Sequence, residues 1–568
     1  MINAIIFDFD NTLYDYDLCN KSALDLLFCE ISKDFNIKID IIRETYNLIN
    51  KNIKVSNNNA TKFNKIIYIK QLLEALNISL KFIEKYFNIY NSAFNDKFKL
   101  YDNVLDVIRY LKEPKSNNIN IKIGILSNNI FYQQYDKIAN SELMDYIDVI
   151  QTTDECGEEK PNLNAYLNII HKLKNKTGLE NPYIGYIGDN YEHDIEPALK
   201  LNMLPFHFLK ESDQKNPYLK LYDKYIKFNN YELLLKFFND YFKTVDELIF
   251  LSKYFGQSNL NVQGPGGNIS VKLDDIIFIK SSGAVLGNIT YNEGYCLANN
   301  RHVIKLLEAK EDLKLKDTKI FGYKIPSMET FFHSFMKKYT VHIHFTLSNL
   351  FFCTNTIPKL PDFPYNYEII SYIPPGLLLS ESIKEIYDKN IHTTETHIFF
   401  LCNHGLIITG DDCNKIIEVY ENIYKYFNGL LDNKFSDELI SFNLNRQLYV
   451  KYKTPIIVRY IEYPINILLY IKYCFPDLAI FIEDIKVINY CKNEINKLFD
   501  LTSITKKTNI IIINTQIYLI GETLSKVYYI IELLEKYRIL CNYNYDNLAN
   551  INDIKYLQNM EQEKFRKI

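Results

Sequence analysis

A chain of 568 residues is longer than one hydrophobic core can organise, so two to four domains are expected. Hydrophobic and charged fractions of 47% and 24% are those of an ordinary globular protein and exclude disorder as the main state. A formal net charge of −4 supplies no field to draw a polyanion, which argues against nucleic acid as a partner. Ten Cys lie scattered without a C-x-x-C pair, the pattern of reduced thiols in a cytoplasmic protein. Met1 is followed at once by an apolar run, so no leader is expected, and runs such as 509–520 are too short and interrupted to span a bilayer.

In chain order, residues 2–9 form an apolar run ending on acids, the pattern of a buried parallel strand with functional groups at its C-terminal end. Residues 18–98 carry a helical pattern with no strong strand. Strands follow at 121–126, 183–187 and 203–208, with helices between them and a helix near 231–241. This alternation predicts a doubly wound α/β domain with a helical insertion after its first strand. Charged, Asn-rich residues 210–230 are expected at its edge. Beyond Thr244 a helix over 245–255 leads into QGPGGN, and strands at 276–280, 340–345 and 397–401 make a second α/β unit. Further apolar segments lie at 478–482 and 509–520, with a final helix over 524–534.

Asp8 and Asp10 in FDFDNT stand two apart, so they share one side of an extended segment and point into the crevice where open α/β sheets bind ligands. Paired carboxylates need a cation, and Mg²⁺ suits oxygen donors. One Asp can then attack phosphorus. Strand 121–126 ends in Ser127-Asn128-Asn129, Lys160 precedes Pro161, and strand 183–187 ends in Gly188-Asp189-Asn190 with Asp194 beyond. An acid pair, a hydroxyl, an ammonium and a second acid pair thus follow the strands in turn.

These residues resemble the four motifs of the haloacid dehalogenase (HAD) superfamily, in order, over residues 1–240. The resemblance implies a Rossmannoid core at 1–15 and 100–240 with a helical C1-type cap over about 16–99. It implies Asp8 as nucleophile and Asp10 as general acid, then base. Ser127, Asn128 and Lys160 would hold the phosphoryl group, and Asp8, Asp10, Asp189 and Asp194 would be the Mg²⁺ residues. An Asp at the second motif position favours phosphatase over dehalogenase, since a leaving alkoxide must be protonated.

In the second unit, His342 and His344 lie on one face of a strand, and His404 follows another strand, a donor set suited to catalytic zinc. If a helix starts near Ser327, Glu329 and His333 share a face at i, i+4. A Glu beside Zn²⁺ can move a proton. Gly264 to Ser270 and Lys280-Ser281-Ser282-Gly283 offer backbone N–H groups and polar donors suited to a phosphate, although the spacing is not the Rossmann fingerprint.

GGNIS, KSSG, PSMET-x-x-H, HIH and NHG resemble the class II aldolase/adducin family over about 245–420, most closely its long rhamnulose-phosphate aldolase-like members, which continue past NHG as here with Phe475-Pro476-Asp477. The domain so implied covers 241–568, with a C-terminal extension from about 430. The resemblance implies Zn²⁺ held by His342, His344 and His404, with Glu329 as acid/base and resting-state ligand. Gly267, Asn268, Ser282, Gly283 and Ser327 would line a phosphate site. Short fuculose-phosphate-type members carry a second Ser where this chain has Met328, so one phosphate donor is missing.

The two resemblances together imply a bifunctional enzyme of carbohydrate metabolism. A Mg²⁺-dependent phosphatase would be joined to a Zn²⁺-dependent lyase that cleaves a ketose phosphate. Small phosphorylated substrates are expected as partners, with no nucleic acid and no membrane, in a homo-oligomer that is a tetramer by analogy. One alternative is a methylthioribulose-phosphate dehydratase fused to an enolase-phosphatase-type domain. Another is a non-catalytic adducin-like binding module, against which the retained His and Glu speak.

Overall fold

The structure, a computed structural model, describes residues 1–56, 60–210, 216–390, 395–431, 449–453, 456–460, 474, 476–477, 482, 485–488, 510–513, 516–521 and 523–544. It divides into two compact units, Met1–Lys243 and Thr244–Ile568.

In the first unit, β1 (Ala4–Phe7), β2 (Lys122–Ser127), β3 (Val149–Thr152), β4 (Ile184–Gly188) and β5 (Leu204–Phe208) run parallel, and β6 (Leu219–Tyr222) and β7 (Tyr225–Phe228) close one edge. The order is β3-β2-β1-β4-β5-β7-β6. The central strands are buried on both faces, which explains why they appear in the sequence as continuous apolar runs. Residues 210–230, expected at the domain's edge, hold the β6–β7 hairpin at the outer edge of the sheet. LKLY and YIKF alternate with period two around a turn in which Asp223 takes a positive φ of 54°.

The insertion after β1 holds α1 (Tyr16–Phe35), α2 (Ile39–Ser56), α3 (Lys65–Ala75) and α4 (Ile83–Lys97). Asp15 caps α1 by accepting from the Leu18 amide at 3.1 Å. Cys19, Ala23, Leu27 and Ile31, four apart, form the buried stripe of α1, which packs on the buried Tyr86, Tyr90 and Phe94 of α4. The two helices expected on either side of residue 243 are one helix, Tyr231–Gly256, because no Gly or Pro interrupts it before Gly256.

In the second unit, eight strands form one sheet: β8 (Asn268–Leu273), β9 (Ile276–Lys280), β10 (Tyr295–Asn299), β11 (Lys319–Phe321), β12 (Tyr339–Ile343), β13 (Glu368–Ile370), β14 (Thr396–Leu401) and β15 (Gly405–Gly410). Their order is β11-β10-β9-β8-β12-β15-β14-β13. A third sheet joins β16 (Tyr449–Lys453), β17 (Ile456–Tyr460), β18 (Ile485–Ile488), β19 (Ile510–Ile513) and β20 (Gln516–Gly521). The apolar run at 509–520 contributes two of these strands, and the final helix extends over Leu524–Asn544. The expected segment 478–482 lies outside the described residues except for Ile482. Among the described residues, no helix is long and apolar enough to cross a membrane.

Candidate active sites

In the first unit β1 lies between β2 and β4, with Phe7 opposite both Ile125 and Ile187. The residues that end these strands or follow them, Asp8, Ser127 and Asp189, therefore emerge at the same edge of the sheet. Asp8, Asp189 and Asp194 bring carboxylate oxygens within 4.8 Å of one another. Lys160 is buried among them and donates to Asp8 at 2.5 Å and Asp194 at 2.7 Å. Thr12 donates to Asp8 at 2.8 Å and to Asp189 at 3.2 Å. Burial raises the Asp8 pKa, Lys160 opposes the rise, and Asp194 and Asp189 reinforce it. Burial and then Asp194 raise the Asp189 pKa in the same way. One ammonium among three carboxylates leaves negative charge that a divalent cation would offset, and the all-oxygen donor set fits Mg²⁺.

Asp10 points elsewhere. Its carboxylate accepts from Lys137 at 2.8 Å, Gln134 at 3.0 Å, Asn129 at 3.3 Å and the Tyr14 hydroxyl. Burial pushes its pKa up, but Lys137 and these hydrogen bonds bring it below the usual carboxylate value. The Asp10 side chain, expected among the Mg²⁺ residues, pairs with Lys137 at 2.8 Å and stands outside the group of Asp8, Asp189 and Asp194. Asn128 lines the same cavity as Asp8 and Ser127. Its side-chain amide donates to the Lys160 carbonyl at 2.8 Å and accepts from the Lys160 backbone amide at 2.7 Å, and so fixes the lysine's backbone beside the site. Ser127 accepts from Gln134 at 2.5 Å. Lys137 and Gln134 belong to a helix, Phe131–Ala139, that carries no sequence motif. A cavity of about 440 Å³ lies over the cluster, lined by Asp8, Asp10, Ser127, Lys160 and Asp189 and by cap residues including Asn50, Lys54 and Lys65.

Gly188 is what allows Asp194 to approach. A Cβ at Gly188 would lie 2.5 Å from the Asp194 side chain. Asp194 is held by Lys160, by Tyr186 at 2.9 Å and by the Asn190 amide at 3.0 Å, so it has little room to yield. Gly188→Ala is expected to cost about 1–3 kcal/mol of stability and to lower any phosphate release, as thermal melts and a phosphate assay would show. An unchanged melting temperature would refute the close fit.

In the second unit, β12 pairs antiparallel with β8 on one side and β15 on the other, with His342 directly opposite Asn268 and Ile407. His344 follows two residues on. His404 ends the tight turn between β14 and β15, in which Asn403 adopts a φ of 57°. The ring centroids of the three imidazoles lie 4.8 to 5.1 Å apart. Glu329 precedes the short helix Thr330–Phe335 and places Oε1 3.4 Å from Nε2 of both His342 and His404. Donor atoms of Glu329, His342, His344 and His404 all fall within 4.8 Å of one another. Nδ1 of His342 donates to the Leu406 carbonyl at 3.2 Å, which leaves Nε2 free to ligate. Burial pulls the His344 pKa down to about 3 despite the adjacent Asp477, so its imidazole is in the neutral, ligating form. Burial pushes Glu329 up, but His342 and His404 bring it well below the ordinary carboxylate value. Three imidazoles and a carboxylate fit Zn²⁺.

The Gly-rich loop packs against this cluster. Gly267 has a φ of +68°, and a Cβ there would lie 2.6 Å from Val262 and 3.0 Å from the His342 carbonyl, so only glycine fits. Lys280 donates to the Pro265 and Ala284 carbonyls, each at 2.8 Å, and so ties the two candidate phosphate loops together. Gly267, Ser282, Gly283, Ser327 and Glu329 line one narrow cavity. Asn268 is wholly buried, and neither atom of its amide has a hydrogen-bond partner, as expected of a group that meets a ligand.

Sequence reasoning assigned no role to the C-terminal residues that reach this cluster. Asp477 contacts His344 Nδ1. Lys536 donates to the His344 carbonyl at 2.9 Å, Glu532 accepts from the Gly264 amide at 2.7 Å, and Asn403 donates to the Cys474 carbonyl at 2.9 Å. Only the FPD tripeptide hinted at them.

Residues 5–208 match the family described as haloacid dehalogenase-like hydrolase, and residues 246–428 match the class II aldolase and adducin N-terminal domain. A glyceraldehyde 3-phosphate phosphatase of Methanocaldococcus jannaschii is 26% identical over 216 residues, covering 37% of this chain and 86% of the relative. A ribulose-1,5-bisphosphate 5-phosphatase of Halopiger xanaduensis is 27% identical over 221 residues, covering 38% of this chain and 88% of the relative. Among solved structures, the N-terminal class II aldolase domain of a conserved protein from Thermoplasma acidophilum is 25% identical with a TM-score of 0.29, covering 33% of this chain and 93% of that one.

Proposed function

Starting from a chain that carries a haloacid dehalogenase-like hydrolase domain followed by a class II aldolase/adducin-type domain, we propose a bifunctional cytoplasmic enzyme of sugar-phosphate chemistry. Its first domain would hydrolyse a phosphomonoester and its second would cleave a ketose phosphate. The observation that supports this best is the pair of buried donor sets, three carboxylates around Lys160 and three imidazoles around Glu329. Curated relatives of the first domain are named as phosphatases of small phosphorylated sugars.

In the hydrolase domain, an Asp8 oxygen attacks phosphorus and the P–O bond to the leaving alkoxide breaks. Asp10 gives the alkoxide its proton, which requires the negative charge of the bound phosphoryl group to raise its pKa against the pull of Lys137. Water then attacks the aspartyl phosphate, Asp10 takes a proton from it, and inorganic phosphate leaves. Ser127 and Lys160 bind the phosphoryl oxygens, and Lys137 and Gln134 orient Asp10. Mg²⁺, held by Asp8, Asp189 and Asp194, would supply positive charge against the phosphoryl oxygens. In the aldolase-type domain, His342, His344 and His404 would hold Zn²⁺, which supplies Lewis acidity toward a carbonyl. Glu329 moves the proton, and Asn268 with the Gly267, Ser282 and Ser327 loops binds the phosphate.

The test is a screen of phosphorylated sugars that follows both released phosphate and released aldehyde. After EDTA treatment both signals should fall. Phosphate release is expected to return with Mg²⁺ and aldehyde release with Zn²⁺. Phosphate release undiminished by EDTA would contradict the first assignment, and a purified protein with no affinity for zinc would contradict the second.

A further inference from the structure

The cap carries positive charge that the phosphoryl chemistry does not use. Lys65 opens α3 and Lys54 lies near the end of α2, and both line the cavity above Asp8. The neighbouring cations are already matched. Lys62 pairs with Glu159 at 2.6 Å, Lys137 with Asp10 at 2.8 Å, and Lys160 with Asp8 and Asp194. The half-buried Lys65 ammonium instead sits over the rings of Tyr68 and Tyr90, 5.2 and 5.9 Å from their centroids, and among the described residues has no carboxylate in an ion pair. Burial, then Lys137 and Lys54, pull its pKa down to about 8. The fold therefore holds like charges together at the cap side of a cavity whose opposite wall binds the reacting phosphoryl group. Such repulsion persists only where other contacts enforce it, and an anion between the lysines would relieve it.

This inference rests on the phosphatase reading and extends it. We propose that Lys65 and Lys54 form a second anion subsite, so that the substrate is a phosphomonoester with another negatively charged group, a second phosphate or a carboxylate, a few carbons from the ester. Asn20 and Asn50 on the same wall can serve the hydroxyls between the two anions. The two tyrosine rings hold the Lys65 ammonium in place without neutralising it.

The test uses Asp8→Asn protein, which keeps the cavity and cannot form the aspartyl phosphate. Calorimetric titration at fixed Mg²⁺ compares ribulose 1,5-bisphosphate, 3-phosphoglycerate and ribulose 5-phosphate. At least one of the first two should bind about tenfold or more tighter than the third, and which one does tells phosphate from carboxylate. Adding Lys65→Met should remove most of that advantage, and Lys65→Arg should restore it. Lys70→Met, which removes an exposed lysine paired with Glu74 on the same helix, should leave it unchanged. Equal affinity for all three compounds, or a Lys65→Met protein that still discriminates, would overturn the subsite. Hydrolysis of p-nitrophenyl phosphate by the unmodified protein is measured in parallel. Its absence alongside selective binding would refute the phosphatase reading and leave the subsite standing.

Discussion

Asp8→Asn is expected to lower phosphate release by at least about 10³-fold, the scale of losing a covalent nucleophile, while aldehyde release stays at its original level. The structure argues that the loss is chemical. The two side chains are nearly isosteric: with the amide oxygen toward Lys160, the amide NH2 faces the Thr12 hydroxyl, which can accept from it and donate to Asp189 instead. The substitution also removes one of three mutually repelling carboxylates, two of them buried, while Lys160 keeps Asp194 as its partner. In metal-free buffer the variant should therefore melt no lower than the parent, as active-site charges are often held at a cost in stability. A phosphate assay, an aldehyde assay and a thermal melt check the three statements. A variant that keeps a tenth of the phosphate release, or loses both activities together, would show that Asp8 is not the nucleophile of an independent site.

What the sequence disclosed and what it hid differ for a physical reason. Asp8, Ser127, Asp189, His342 and His404 end a strand, follow one or lie within one, and a buried strand announces itself as an apolar run. The polar residues at its end then stand out. The alternation in HIH likewise gives the shared face of His342 and His344 without coordinates. Lys137, Gln134 and Lys65 sit on helices, where a polar residue that faces a cavity looks like one that faces water. Asp10 shows the converse limit. Its place in the motif was legible, but the direction of its carboxylate depends on Lys137, and that contact exists only once Phe131–Ala139 packs beside the site. The β6–β7 hairpin was legible in principle, because LKLY and YIKF alternate, but the surrounding charged, Asn-rich residues masked the period. The merged helix Tyr231–Gly256 shows that a change in texture is not a helix boundary unless a breaking residue marks it.

The other large effect concerns the imidazole cluster. His344→Ala should abolish aldehyde release and weaken zinc binding by more than about 100-fold, and phosphate release should persist. Asp477→Asn should weaken zinc binding by about 10–100-fold, the usual cost of removing a carboxylate that orients a ligating histidine. The ordering follows from the contacts. His344 itself enters the group of donors within 4.8 Å, whereas Asp477 lies outside that group and touches Nδ1 of His344. A carboxylate at Nδ1 keeps the hydrogen there and leaves Nε2 as the donor to the metal, which would displace its long 3.4 Å bond from the Gly267 amide, and the negative charge strengthens that donor. An Asn can still accept the hydrogen but brings no charge, so the ring stays oriented while its basicity falls. Competition against a chromophoric chelator measures both affinities without relying on turnover. If Asp477→Asn binds zinc as tightly as the parent, the C-terminal residues only support the fold around the cluster. If His344→Ala does so, the three imidazoles are not the zinc site.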